Sequence, residues 1–152
     1  MTALAEILIP SPPAPLFVLR EGVGADHAHV YASWLHAIEG TVFDAAFRGA
    51  VRYVPRAVIN GLLGRRTTAL VVACAPTDPN TILGWALVEA PSTLHFVHVK
   101  PFLRRRGVAK ALIAGLREPL TYTANTPAFT PWASRHGWWR FDPLLAFAPG
   151  SR

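Results

Sequence analysis

The sequence predicts an α/β domain built on a mixed, mostly antiparallel central sheet, with helices on both faces of that sheet. Three observations lead there. Two stretches of helical periodicity come first, between residues 26 and 64. Three β-rich runs then succeed one another directly between residues 68 and 100, which is the pattern of an antiparallel meander. The last of these runs passes straight into an Arg-rich loop, a helix and a further strand, and such a β-α-β unit adds a parallel neighbour to the sheet.

Each element has its own local signal. Residues 17–20 read as a short strand ended by Gly22-Val23-Gly24. Asp26 stands where an N-cap belongs, and Val30, Trp34, Leu35 and Ile38 recur behind it at helical spacing up to Gly40. Residues 41–53 have no clean period and are expected to be an irregular connection. Pro55 suits the first turn of a second helix through Val58, Ile59, Leu62 and Leu63, stopped by Gly64. Residues 68–75 form a strand, 76–80 a turn by their Pro, Asp and Asn content, 81–89 the returning strand and 94–100 a third. Apolar positions from Val108 to Leu116 repeat as a helix that Pro119 ends. Residues 120–125 read as a strand, 128–139 as a final helix and 144–148 as a closing strand.

At 152 residues and 16.5 kDa the chain has the size of one domain, expected over 17–152 behind a Pro-rich extended lead-in at 1–16. Its 14 Pro and 11 Gly interrupt every apolar stretch before it reaches spanning length, so no transmembrane helix is expected. The lead-in has no basic residue ahead of its apolar part and four prolines within it, unlike a signal peptide. The single cysteine, Cys74, lies in an apolar run and reads as a buried thiol in a reducing, cytoplasmic setting. A net charge of +6 favours polyanionic or phosphorylated partners. The basic residues cluster only at Arg65-Arg66 and Arg104-Arg105-Arg106, and neither cluster belongs to a nucleic-acid motif, so nucleic acid is possible but not favoured.

The stretch LHFVHVKPFLRRRGVAKAL, residues 94–112, carries the chemistry. A strand runs into a loop and then into a helix start, where backbone N–H groups without intrahelical partners and the helix dipole both favour an anion. Gly107 and Ala109 are small enough to let a phosphate approach the backbone, and Arg104, Arg105 and Arg106, with Val108 and Lys110 in the same turn, surround that approach with donors and charge. The spacing is neither that of the Walker loop nor of the Rossmann glycine fingerprint.

Val99-x-Pro101-x-x-Arg104-x-x-Gly107-x-Ala109 resembles motif A of the GNAT (GCN5-related N-acetyltransferase) superfamily, and the element order over residues 17–148 is similar to that family's. The resemblance implies an acyl-CoA-dependent N-acyltransferase with acetyl-CoA, or another acyl-CoA, as cofactor and a small-molecule or protein amine as acceptor. It implies that the pyrophosphate sits on the loop at 104–110. The pantetheine arm would then bond backbone groups near Val97 and Val99, between fourth and fifth strands that part at their ends, with Asn125 at a position that often touches the cofactor. No metal is implied. A few compact phage-associated proteins resembling this fold modify DNA bases, which gives a nucleic-acid variant of the same reading.

Acyl transfer needs a deprotonated amine, a stabilised oxyanion and a protonated leaving thiolate. His95 and His98 are the candidate bases, three residues apart and therefore expected on opposite faces of one strand. His95 matches a strand-four histidine that some members use as base; Glu89 is a weaker candidate base and reads first as a strand-end surface charge. The resemblance places an acid Tyr four residues before a Gly-aromatic pair, here Gly137-Trp138, and that position is Ala133. Tyr122, Ser134 and His136 are the available substitutes. Loss of the Tyr opens a second reading, a degenerate GNAT-like domain that serves as a binding or structural module. Trp132, Trp138, Trp139 and Phe141 fit either core packing or a clamp for a planar group. Residues 40–53, the family's acceptor-selecting region, offer Asp44, Arg48, Arg52 and Tyr53 without a pattern that identifies the acceptor.

Overall fold

A computed structural model describes residues 11–38 and 54–147 of the chain. Among these residues six strands form one sheet in sequence order: β1 (Val18–Glu21), β2 (Thr68–Ala75), β3 (Asp78–Glu89), β4 (Thr93–Val99), β5 (Thr121–Tyr122) and β6 (Arg140–Phe141). β1 to β4 are antiparallel, β5 runs parallel to β4, and β6 runs parallel to β5. Helices α1 (His27–Ile38) and α2 (Val54–Leu63) cover one face; α3 (Val108–Leu112) and α4 (Thr130–Ser134) cover the other. This is the mixed, mostly antiparallel sheet with helices on both faces that the sequence predicts.

Two cores follow from the two covered faces. On the α1/α2 side Val30, Trp34, Ile59 and Leu62 pack on Leu70, Val72, Trp85, Leu87 and Phe96. Trp34, Trp85 and Phe96 have ring centroids 4.9–5.5 Å apart, in the range where aromatic pairs attract. On the α3/α4 side Val108, Leu112, Phe129, Ala133 and Trp139 pack on Ala73, Ala86, Leu94 and Val99. Because both faces are covered, the middle of β2 is apolar on both, and Val72, Ala73 and Cys74 are buried in succession.

Several local expectations are corrected. The turn between β2 and β3 is Pro76-Thr77 alone; Ala75 pairs with Asp78, and the Asp78 carboxylate accepts from the Asn80 N–H (3.0 Å) and the Thr81 hydroxyl (2.6 Å) inside the new strand. Asp26 is not an N-cap. It ends a 3-10 turn, and its carboxylate accepts the Val23 N–H at 2.8 Å and both Arg20 terminal nitrogens at 2.7 and 2.8 Å, which ties α1 to β1. The helix after Gly107 stops at Leu112, where the chain tightens into i→i−3 turns. β5 has two residues rather than six, and the last helix is five residues long. No strand forms at 144–147: Pro143 cannot donate to a ladder, and the Asp142 carboxylate accepts the Leu144 N–H (3.2 Å), so a 3-10 turn replaces it and the closing strand is β6. The expected lead-in at 1–10, the end of α1 at Gly40 and the connection at 41–53 lie outside the described residues.

Candidate functional site

The parting of two strands makes the site. β5 pairs with β4 only at Thr93/Thr121 and Leu94/Tyr122, with the Thr121 N–H donating to the Ser92 carbonyl (2.9 Å) and the Thr123 N–H to the Leu94 carbonyl (3.1 Å). Beyond Thr123 the chain turns away: the Thr126 hydroxyl and carbonyl both accept from the Phe129 N–H, and α4 begins. A cleft lined by Leu94, His95, Phe96, Val97, Ala124, Thr126 and Phe129 opens in the gap. The edge of β4 along it is unoccupied by β5. The Lys100 N–H donates to Leu83 of β3 (3.0 Å), so strand alternation turns the N–H and C=O of Val97 and Val99 toward the opposite, cleft-side edge.

β4 ends in a loop that returns over this edge. Lys100 leads into a 3-10 turn, Pro101–Leu103, anchored by the buried Leu103. The Arg104 Nε then donates to the Val99 carbonyl at 3.1 Å. Arg105 has φ +62° and Gly107 φ +81°, both left-handed. For Gly107 this is unstrained; for Arg105 it costs about 1–2 kcal/mol. The first N–H of the following helix to find a carbonyl is that of Ala111, which donates to Gly107 (3.0 Å). The N–H groups of Val108, Ala109 and Lys110 precede it and have no intrahelical partner. Val108 is buried and locks the helix start to the core, Ala109 is partly buried, and Arg104, Arg105, Arg106 and Lys110 are exposed. Asn125 is exposed, and its side-chain oxygen accepts from the Thr130 hydroxyl (2.5 Å).

His95 sits at a bulge. Leu87 of β3 pairs with Phe96 and Val88 with Leu94, so His95 is the extra residue. The bulge breaks the alternation on which opposite faces for the two histidines were expected. Phe96 packs in the α1/α2 core although Leu94 packs in the other. His95 bonds to Glu89, on the same face as Leu87, and His98 lies against Trp85 on that face at a ring separation of 6.2 Å. His95 is fully buried, with Nε2 2.8 Å from Glu89 Oε2 and Nδ1 3.1 Å from the Thr123 hydroxyl. Glu89 is no free surface charge: it also accepts from Arg65 Nη1 (3.0 Å) and from the Thr67 hydroxyl (2.5 Å). Burial alone would raise the Glu89 pKa, and the bonds from Thr67, His95 and Arg65 outweigh it and hold the carboxyl below its ordinary value. The carboxylate is therefore an acceptor, which puts the His95 proton on Nε2 and leaves Nδ1 to accept from Thr123. Burial lowers the His95 pKa; Glu89 opposes that shift and Arg65 adds to it.

His98 is lowered further, to about 4, by burial and then by Arg104, His29, His36 and Lys100. Tyr122 packs edge-on against Phe129 (5.2 Å) and beside Phe141 (5.4 Å). The Ser134 hydroxyl donates to the Thr130 carbonyl within α4. Ala133 is buried in the core. Of the aromatic group, Trp139 is buried and Trp132 packs across it, while Trp138 and Phe141 face outward; His136 stacks on Trp139 at 4.2 Å and 8°. Of the residues singled out in the sequence, His95 and Val97 line the cleft, whereas Val99 and residues 104–110 lie beyond its lining, at the end of β4 and after it. Tyr122 and Ser134 are not among its lining residues. Sequence reasoning missed Thr123, Arg65 and Thr67, which carry no motif and become partners of His95 and Glu89 only through the parallel β5 and the α2–β2 turn.

No protein family profile matches the sequence, and no curated protein matches it. Solved structures do. The chain superposes on the aminoglycoside N-acetyltransferase AAC(6')-Iy in complex with CoA with a TM-score of 0.54 at 21% identity, covering 88% of this chain and 92% of that one. It superposes on the GCN5-related glucosamine N-acetyltransferase region of a fungal multi-domain GH3 β-N-acetylglucosaminidase with a TM-score of 0.55 at 16% identity, over 86% of this chain and 17% of that protein. The fold is the GNAT fold.

Proposed function

We propose that this chain is an N-acyltransferase that takes an acyl group, acetyl being the expected one, from an acyl-CoA and delivers it to an amine. The observation that carries the reading is the cleft opened by the two-pair β4–β5 ladder, followed along the chain from β4 by a loop in which Arg105 and Gly107 are both left-handed. A pyrophosphate needs N–H donors and close backbone approach, and the unpartnered N–H groups of Val108, Ala109 and Lys110 behind Gly107 offer both; an extended pantetheine amide needs an open strand edge, and Val97 offers one, with the Val99 carbonyl beyond it already accepting from Arg104. When bound, the acyl-CoA would supply the activated thioester. Arg104, Arg105, Arg106 and Lys110 would add charge at the pyrophosphate, the N–H groups of Gly107, Val108 and Ala109 would donate to it, and Asn125, exposed beside the lining residues Ala124 and Thr126, would be the far-side polar contact. Of the two histidines, His95 is the better proton acceptor, because His98, with a pKa near 4, is a weak base at neutral pH.

Ala133 favours a second reading, a domain that binds acyl-CoA or a partner with little catalysis. Tyr122, Ser134 and His136 are the substitutes for the missing acid, and phenylalanine at 122 or alanine at 134 or 136 should leave turnover intact if the thiolate departs without a dedicated donor. Native mass spectrometry of protein purified from cells tests the common first step. The expected result is a population heavier by the mass of coenzyme A or its acyl ester, which acetyl-CoA exchanges in solution. Protein of bare chain mass that gains nothing on adding acetyl-CoA contradicts the acyltransferase reading and leaves only a domain that binds a partner.

A further inference from the structure

We propose that His98, Lys100 and His29 form an anion site on the α1 side of β4 that receives an acidic group of the acceptor, so that the acceptor is an amine carrying a carboxylate or another oxyanion. The inference rests on the acyltransferase reading and names the acceptor class within it. His98 pairs with Trp85 across β4 and β3, and the two rings lie 6.2 Å apart. The Trp85 Nε1 donates to the Ser33 hydroxyl at 2.9 Å, which ties α1 to the same place. His29 and His36 stand four residues before Ser33 and three after it, so all three share one stripe of α1, beside the buried Val30 and Trp34. Lys100 follows at the end of β4, and Arg104 lies in the loop beyond.

His98 is half-buried, and among the described residues neither of its ring nitrogens has a hydrogen-bond partner, which a buried polar group normally finds. Burial first, then Arg104, His29, His36 and Lys100, brings its pKa down to about 4. His29, exposed on α1, is lowered by burial and by Lys100, with Asp26 opposing; the Asp26 carboxylate is itself taken up by Arg20. The cluster is therefore rich in donors and in positive charge. An oxyanion placed in it would reverse that environment, favour the imidazolium forms and be bonded by them. The position suits the acceptor rather than the cofactor: the pyrophosphate loop opens α3, which covers the opposite face of the sheet, whereas His98 faces α1. Along β4, His98 follows Val97, which lines the cleft, and at about 3.3 Å per residue it lies roughly 3–13 Å from the lining residues Leu94 to Val97. A short amine with an acid at its far end spans that distance. The same charges disfavour a polycationic acceptor.

NMR of histidine-labelled full-length protein across pH tests the site, with inorganic sulfate, 4-aminobutyrate and n-pentylamine as probes. In chloride the His98 ring should stay neutral down to about pH 5, and in sulfate of the same ionic strength it should begin to protonate above that pH, because an opposite charge in contact favours the cation. With coenzyme A present, 4-aminobutyrate should move the His98 resonances as sulfate does, and n-pentylamine, which lacks the acid, should not. Lys100→Gln should weaken binding of 4-aminobutyrate about tenfold, and Lys100→Arg should restore most of the affinity. A His98 titration that is identical in sulfate and chloride overturns the site. Equal responses to n-pentylamine and 4-aminobutyrate overturn the acceptor class, as does a response to coenzyme A that is lost with dephospho-coenzyme A, which would assign the anion to the cofactor's own ribose phosphate. A sulfate response in protein that binds no coenzyme A would instead remove the acyltransferase reading and leave the anion site standing.

Discussion

Asp26 shows how one side chain fixes an element. It is buried, yet its carboxylate takes a two-pronged bond from Arg20 and a third from the Val23 N–H, so α1 is held to β1 by ionic hydrogen bonds. The bond from Arg20 lowers its pKa most, against burial, with the Val23 N–H and the Arg20 charge adding to the shift. A depressed carboxyl contributes stability that is present above its unfolded value, near 3.8, and is lost as pH falls through the folded value. Asp26→Asn should therefore cost about 1–3 kcal/mol at pH 7 by denaturant unfolding, and the gap to wild type should narrow as pH falls from near 3.8 through the lower folded value. A gap that does not narrow on acidification would mean the loss is geometric rather than ionic. Asp26 was legible as a helix-start residue from its position, whereas its partner Arg20 was not, because that pair forms across a turn rather than along a period.

At the scale of elements, β3, β4 and α3 meet at Gly84. A Cβ placed there would stand 2.8 Å from the His98 carbonyl oxygen and 3.4 Å from a Val108 methyl, so the two strands and the helix start close over a position that only glycine fills without displacement. Gly84→Ala should push β4 away from β3 at the site and lower stability by about 1–3 kcal/mol, as overpacking does, which a thermal melt reads directly. An unchanged Tm would show that the carbonyl yields freely. The strands of the meander were legible in the sequence because each is a β-rich run bounded by punctuation, and β2 falls on residues 68–75 as expected. The region after Pro119 was not. Its strands have two residues each and its last helix five, too short to display a period, and their places are set by the Thr126 turn, by Pro143 and by pairing with β4. The His95 bulge was equally invisible, since one extra residue in a strand leaves the composition unchanged and reverses the faces of the residues beyond it.

For the whole molecule, the sequence carried the fold class and the strand–loop–helix order of residues 94–112, and the structure adds the cleft beside β4. The +6 charge is distributed accordingly. Arg65 is spent internally on Glu89 and on the carbonyls of Leu145 and Ala146, while Arg104, Arg105, Arg106 and Lys110 are exposed on the loop and helix start after β4. Duplex DNA should therefore bind weakly, without sequence preference and with a steep fall in affinity as salt rises, as an electrophoretic or anisotropy titration between about 50 and 200 mM salt would show. A nanomolar complex at physiological salt would favour the nucleic-acid variant.

The central claim is that the left-handed loop at Gly107 holds the pyrophosphate of coenzyme A, and calorimetric titration of coenzyme A into three proteins tests it most directly. A side chain at Gly107 meets nothing within 4 Å, and of the residues with a side chain Asn and Asp best tolerate its φ of +81°, so Gly107→Asn and Gly107→Asp should both fold. They are nearly isosteric and differ by one negative charge. Wild type should bind coenzyme A, Gly107→Asn should bind it somewhat less tightly, and Gly107→Asp should be weaker than Gly107→Asn by more than tenfold, above about 1.4 kcal/mol. Equal affinity of the Asn and Asp proteins, both folded, would contradict the account.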